Sequence, residues 1–93
     1  MTNSNVLVVG GGGREHALCM ALATSSQVES VHCAPGNAGT SELATNHPVA
    51  ASDVSALVDL ATSLDASLVV VGPEAPLCDA LADRLAASGI PCF

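Results

Sequence analysis

Residues 10–13 are consecutive glycines, and they follow directly on Val6, Leu7, Val8 and Val9. A short, uninterrupted, mostly β-branched run closed by glycines reads as a strand buried on both faces. Such strands belong to parallel sheets covered by helices, because a sheet with one wet face alternates apolar and polar residues instead. The rest of the chain keeps the pattern. A helix is expected over about residues 13–24, with Ala17, Leu18, Ala21 and Leu22 as its apolar side. Residues 28–34 read as a second strand ended by Pro35 and Gly36, and residues 35–47 as a loop rich in Gly, Asn, Ser and Thr. A short strand is expected near residues 48–50. Ser52 or Asp53 then caps a helix with Val54, Leu57, Val58, Ala61 and Leu64 on one stripe. Residues 67–71 form a strongly apolar strand. A further helix runs from near Pro76 to near Gly89, with Leu77, Leu81 and Leu85 inward, and residues 90–93 begin another strand. Strands alternating with helices predict the α/β class: an open parallel, Rossmann-like sheet flanked by helices, with right-handed crossovers.

Composition narrows what such a fold can hold. At 93 residues the chain is one domain. Its only aromatic residue is Phe93, so the core has to be built from Val, Leu, Ile, Ala and Cys. The formal net charge is −7, lysine is absent, and Arg14 and Arg84 are the only fixed cations. A nucleic-acid surface needs clustered Lys and Arg, so that class of partner is excluded. Any bound phosphate must rely on main-chain N–H groups and a helix N-terminus, with Arg14 as the one candidate side chain. Cys19, Cys33, Cys78 and Cys92 show neither a C-x-x-C pair nor zinc spacing, which fits reduced, buried thiols and a cytoplasmic setting. The polar start carries no signal-peptide pattern, and no apolar run approaches the roughly 18 residues of a membrane span.

Three loops fall at the C-terminal ends of the predicted strands, where open α/β sheets bind ligands. The first runs Gly10, Gly11, Gly12, Gly13, Arg14, Glu15, His16. Glycines there let main chain approach a phosphate, and the helix behind supplies unpaired N–H groups. It is no dinucleotide fingerprint: a G-x-G-x-x-G frame puts Glu15 or His16 at the third glycine, and no acid ends the second strand. A Walker loop is excluded by the missing Lys. Arg14 reads equally as a phosphate contact, an interdomain contact or a solvated residue, His16 as a packing residue, and Glu15 as an acid that suits the helix dipole. The second loop, Pro35, Gly36, Asn37, Ala38, Gly39, Thr40, can form a nest for phosphate or sugar oxygens, or be an ordinary turn. In the third, Glu74 stands between Pro73 and Pro76, a carboxylate preorganised for a sugar diol or simply a first-turn acid. On the residues alone, a nucleotide- or dinucleotide-binding regulatory module, or a structural domain that binds nothing in isolation, remain as alternatives.

Taken together, Gly10 and residues 12–17 (G-G-R-E-H-A), residues 34–40 (A-P-G-N-A-G-T) and residues 70–77 (V-V-G-P-E-A-P-L) resemble the opening of the phosphoribosylamine–glycine ligase family, the glycinamide ribonucleotide synthetases. The three motifs occur in order and at similar spacing over essentially the whole chain. Gly11 departs mildly, standing where the family often has Ser. The resemblance implies a domain over residues 1–93 of pre-ATP-grasp type, the N-terminal substrate-binding part of an ATP-grasp ligase that joins glycine to 5-phosphoribosylamine in purine biosynthesis. It implies that ATP and Mg2+ bind in later domains of the same polypeptide, outside this chain, and that these residues alone carry no ligase activity. It implies phosphate contacts at Gly12, Gly13, Arg14, Asn37, Gly39 and Thr40, and a ribose contact at Glu74 beside Pro73, with no catalytic or metal-binding residue here.

Overall fold

The computed structural model describes residues 4–72 and 78–93. Pro73, Glu74, Pro76 and Leu77, and with them the third loop, lie outside the described residues, as do the side chains of Cys78 and Asp79.

The chain forms β1 (Asn5–Gly10), α1 (Gly13–Ala23), β2 (Ser30–Pro35), a 3-10 turn (Thr40–Glu42), β3 (Thr45–Asn46), α2 (Val54–Ser63), β4 (Leu68–Val71) and α3 (Cys78–Ala87). The four strands make one sheet in the order β3-β2-β1-β4, every neighbouring pair parallel. The expected α/β architecture with an open parallel sheet is therefore the observed one. Residues 91–93 add the start of a fifth strand beside β4: Val69 and Cys92 form a parallel bridge, and the Phe93 N–H donates to the Val69 carbonyl at 2.9 Å.

The sheet separates two apolar layers. On one face Val6, Val8, Val31 and Cys33 pack with Cys19 of α1, flanked by Leu18 and Leu22. On the other, Leu7, Val9, Ala34 and Val69 pack with Leu57, Val58 and Ala61 of α2 and with Leu81, Leu85 and Ile90. Adjacent strand residues thus enter opposite cores, which is why β1 had to be apolar throughout.

Two local expectations are corrected. The buried face of α1 is Glu15 and Cys19, with Leu18 and Leu22 half-buried, while Ala17 and Ala21 are exposed. That set follows helical spacing, but alanines around the helix made its direction ambiguous. The short strand lies at Thr45–Asn46 rather than near residues 48–50. The His47 N–H still donates to the Cys33 carbonyl at 2.8 Å, and Pro48, having no N–H, ends the pairing.

Helix ends behave as their residues dictate. The Asp53 carboxylate caps α2 by accepting from the Ala56 N–H at 3.2 Å. At the end of α3, Gly89 has φ +78°, and Ile90 donates to Leu85 at 2.9 Å while Gly89 donates to Ala86 at 3.0 Å. This is a Schellman closure, and the pairing of Ile90 with Leu85 in the core gives it its apolar contact.

Candidate functional site

Chain connections diverge between β1 and β4: α1 carries the chain from β1 to β2 on one side, whereas β4 lies on the other. Ligands of open α/β sheets enter at such a switch point, beyond the C-terminal strand ends. The ends that meet here are Gly10 of β1 and Gly72 after β4, with the glycines of the first loop and the N-terminus of α1 alongside.

The first two loops are built as one object. The Gly36 N–H donates to the Gly10 carbonyl at 3.0 Å. The Asn37 side-chain amide donates to the carbonyls of Gly11 at 2.8 Å and Gly12 at 3.3 Å, and its oxygen accepts from the Thr40 N–H at 3.0 Å. Thr40 is fully buried. Its hydroxyl accepts from the Asn37 N–H at 2.8 Å and stands 2.9 Å from the Asn37 carbonyl and 2.8 Å from Asn46 Oδ1, either of which it can donate to. The Asn46 amide donates to the Asn37 carbonyl at 2.8 Å. The side chains of Asn37 and Thr40 therefore shape the loop from within and leave main chain for a ligand. Asn46, which sequence reasoning passed over, completes the network. Nothing near it in sequence signals that role.

Close approach explains most of the glycines. A Cβ on Gly11 would come within 2.9 Å of the Gly36 carbonyl oxygen, and one on Gly39 within 2.9 Å of the His16 ring. His16, half-buried, thus packs against the second loop, as expected. Gly36 has φ +77° and Asn46 where a Cβ would go. Gly13 differs: a Cβ there would meet no atom within 4 Å. It opens α1, so its N–H is among the first-turn donors that a helix leaves without an internal partner. Arg14, next to it, is exposed.

Glu15 is the residue whose part sequence reasoning missed. It is only 2 % exposed, and its Oε1 accepts from the Gly12 N–H at 2.7 Å. The Gly12 amide is thus already engaged, which leaves Gly13 as the freer donor of the pair. Oε2 is buried and finds no hydrogen-bond partner among the described residues. A buried acceptor left unmet costs about 1–3 kcal/mol, and more when charged. The carboxylate is wedged between strand ends: a Cβ on Gly10 would lie 2.7 Å from its Cδ, and one on Gly72 would collide with Oε2. Glu15 occupies the position of the third glycine of a dinucleotide motif, where that motif needs an empty site for close packing.

Below the loops the thiols are sealed in. Burial, then the neighbouring Cys33, pushes the Cys19 thiol up to about 12. Burial likewise raises Cys33, whose Sγ donates to the Gly10 carbonyl at 3.4 Å. Both are packing groups at neutral pH rather than nucleophiles. His32 and His47 pair ring nitrogens at 2.9 Å on the α2 side of β2. Among the described residues no group of three or more His, Cys, Asp or Glu is placed to hold a metal ion, and no helix is long and apolar enough to cross a membrane. A surface depression of about 390 Å³ lies beside the starts of β2 and β3, lined by Ala23, Val28, Leu43 and Thr45 among others, away from the glycine loops.

With that geometry in place, the comparison with known proteins is decisive. Residues 4–93 match the family described as phosphoribosylglycinamide synthetase, N domain. The chain belongs to that family. It is 56% identical over 88 residues to the phosphoribosylamine–glycine ligase of Streptomyces coelicolor, covering 95% of this chain and 21% of that protein. It is 50% identical over 93 residues to the ligase of the same name from Caulobacter vibrioides, covering 100% of this chain and 22% of that protein. The corresponding Mycobacterium tuberculosis ligase is 49% identical over 88 residues. The chain thus spans about a fifth of the length of the curated relatives it matches.

Proposed function

We propose that this chain is the substrate-binding N-terminal domain of a cytoplasmic, ATP-dependent ligase that joins glycine to 5-phosphoribosylamine, giving glycinamide ribonucleotide, and that it grips the phosphoribosyl half. The observation that carries this reading is the pairing of an open helix N-terminus at Gly13 with a second glycine loop fastened to it by Asn37. An anion set against Gly13 finds first-turn amides and the positive end of α1. Main chain around Gly36 and Gly39 supplies the opposite wall, and Arg14 adds the one nearby cation. Gly12 contributes shape more than a donor, since its amide already serves Glu15. We assign the ribose hydroxyls to Glu74, on the expectation set out from the sequence.

ATP and Mg2+ fit poorly with the donors present. The chain has no Lys, and the described residues hold no metal-ligating cluster. We place both in other domains of the polypeptide.

Calorimetry with glycinamide ribonucleotide, on this chain and on the full-length ligase that carries it, tests the proposal. Binding by the full-length protein that is lost on Glu74→Ala supports the division of labour. A Michaelis constant for phosphoribosylamine unchanged by Glu74→Ala removes the ribose assignment. Clear binding of NAD(H) in place of the sugar phosphate removes the whole reading.

A further inference from the structure

Glu15 is 2 % exposed, and its Oε2 is an acceptor with no partner among the described residues. This oxygen lies between the ends of β1 and β4, held off from neither by a side chain, because Gly10 and Gly72 have none. That is the switch point of the sheet, where a ligand enters. Oε1 of the same carboxylate is engaged by the Gly12 N–H, so the group cannot turn to satisfy Oε2 without giving up that bond. What completes Oε2 must be a donor, and a phosphate oxygen is not one. Gly13 and Glu15 stand two positions apart on α1, about 200° around the helix.

We propose that Glu15 is a substrate contact: its Oε2 accepts a hydrogen bond from the sugar end of the bound molecule, a ring hydroxyl or the nitrogen on the anomeric carbon, while the phosphate lies on the Gly13 side. A ligand lying across the N-terminus of α1 then meets donors with its anion and an acceptor with its polar hydrogens, which sets its orientation. The proposal rests on the sugar-phosphate reading above and gives Glu15, read from the sequence only as an acid suited to the helix dipole, a part in binding.

Glu15→Gln is the decisive variant. It keeps the volume and an oxygen for the Gly12 N–H, and it puts an NH2 where Oε2 was. In the full-length ligase, its affinity for glycinamide ribonucleotide should fall by about 10–100-fold, the loss expected for a hydrogen bond to a charged acceptor. Inorganic phosphate, which has no sugar end, should bind within about twofold of wild type, and the melting temperature should not drop. A carboxylate that only braces the loop predicts the opposite: unchanged affinity for glycinamide ribonucleotide with equal or higher stability, a result that overturns the proposal. A second measurement needs no variant. In wild-type protein labelled at glutamate Cδ, the Glu15 resonance should move on saturation with glycinamide ribonucleotide or ribose 5-phosphate, and a stationary resonance at saturation also overturns it. If wild type binds none of these compounds, the function assigned above fails, and this contact with it.

Discussion

Gly72→Ala puts the wedged carboxylate to a direct test. A Cβ at that position would collide with Glu15 Oε2, stand 2.7 Å from Cδ and 3.2 Å from Cγ. The backbone at Gly72 is not in the left-handed region, so the cost comes from the collision and not from φ. Glu15 cannot retreat toward β1, because Gly10 closes that side with carboxylate atoms already 2.7 Å from its own virtual Cβ. The side chain can leave only by breaking its 2.7 Å bond with the Gly12 N–H. Overpacking of this kind costs about 1–3 kcal/mol, and the charged hydrogen bond adds about 1.5–3 kcal/mol. With partial relaxation the sum is about 3–5 kcal/mol, against a total stability of about 5–15 kcal/mol for a native domain. At about 4–8 °C per kcal/mol for a domain this size, Tm should drop by about 12–40 °C.

Urea unfolding followed by far-UV circular dichroism gives the free energies. Because a loss that large can unfold a marginal domain outright, the informative experiment is the cycle with Glu15→Ala. Removing the carboxylate forfeits one hydrogen bond but also a buried, half-satisfied charge, so Glu15→Ala alone should cost only about 1–2 kcal/mol. In that background the three atoms nearest the new methyl, all from the Glu15 side chain, are gone. Gly72→Ala should then cost less than about 1 kcal/mol, a coupling of at least about 2 kcal/mol between residues on different elements. The reasoning is refuted if Gly72→Ala costs under about 1 kcal/mol in the wild-type background, or the same amount in both.

Asn37→Ala removes the donors to Gly11 and Gly12 and the acceptor for the Thr40 N–H. It should cost about 2–3 kcal/mol by the same unfolding assay, and hydrogen exchange at the Gly12 and Thr40 amides, bonded to Glu15 and Asn37, should speed up together; independent behaviour of the two loops would contradict the joint architecture. His32 is held below its ordinary value of 6.5, first by burial and second by His47. The unfolded chain therefore binds the proton at higher pH than the folded one, so stability falls as pH drops through 6.5 toward the folded value and levels off below it. His32→Asn should flatten the stability profile as pH falls below about 7, and an unaltered slope would show that the pair is not its source.

How much of this was legible follows from the range of each interaction. Strand β1 and the helix caps at Asp53 and Gly89 are short-range matters, set by apolar runs and by one residue's own conformational preference, and they stand where the sequence places them. The short strand β3 was misplaced because a two-residue pairing has almost no pattern of its own; only the bar set by Pro48 could have shifted it toward Thr45. The buried side of α1 was misread because alanine is at home on either face, so Ala17 and Ala21 gave no direction. Glu15 was hidden for a different reason. An acid in a first helical turn already has a sufficient local explanation in the helix dipole, and nothing nearby in sequence says that Gly72 will arrive over it from β4. Asn46 is the same case, a polar residue whose partner Asn37 is fixed only once β2 and β3 pair. The glycine loops were legible as loops; which of their glycines serve packing and which face open space was not.

That last distinction bears on how a chain with net charge −7 can hold an anion at all. Glycine-rich loops are the most expensive segments to order, since glycine gives up the most backbone freedom. Here that cost is met when the domain folds. The Gly10 carbonyl, the Asn37 side chain, the buried Thr40 hydroxyl and Asn46 fix both loops against each other without any ligand. On the proposed reading, a phosphate at Gly13 would meet donors already in place and spend little of its binding energy on arranging them. Short, directional main-chain bonds of that sort depend less on overall charge than a lysine cluster would, which would let the proposed site work in an acidic, lysine-free domain. The Glu15 carboxylate fits the same logic: it sets the Gly12 turn by accepting from the Gly12 N–H.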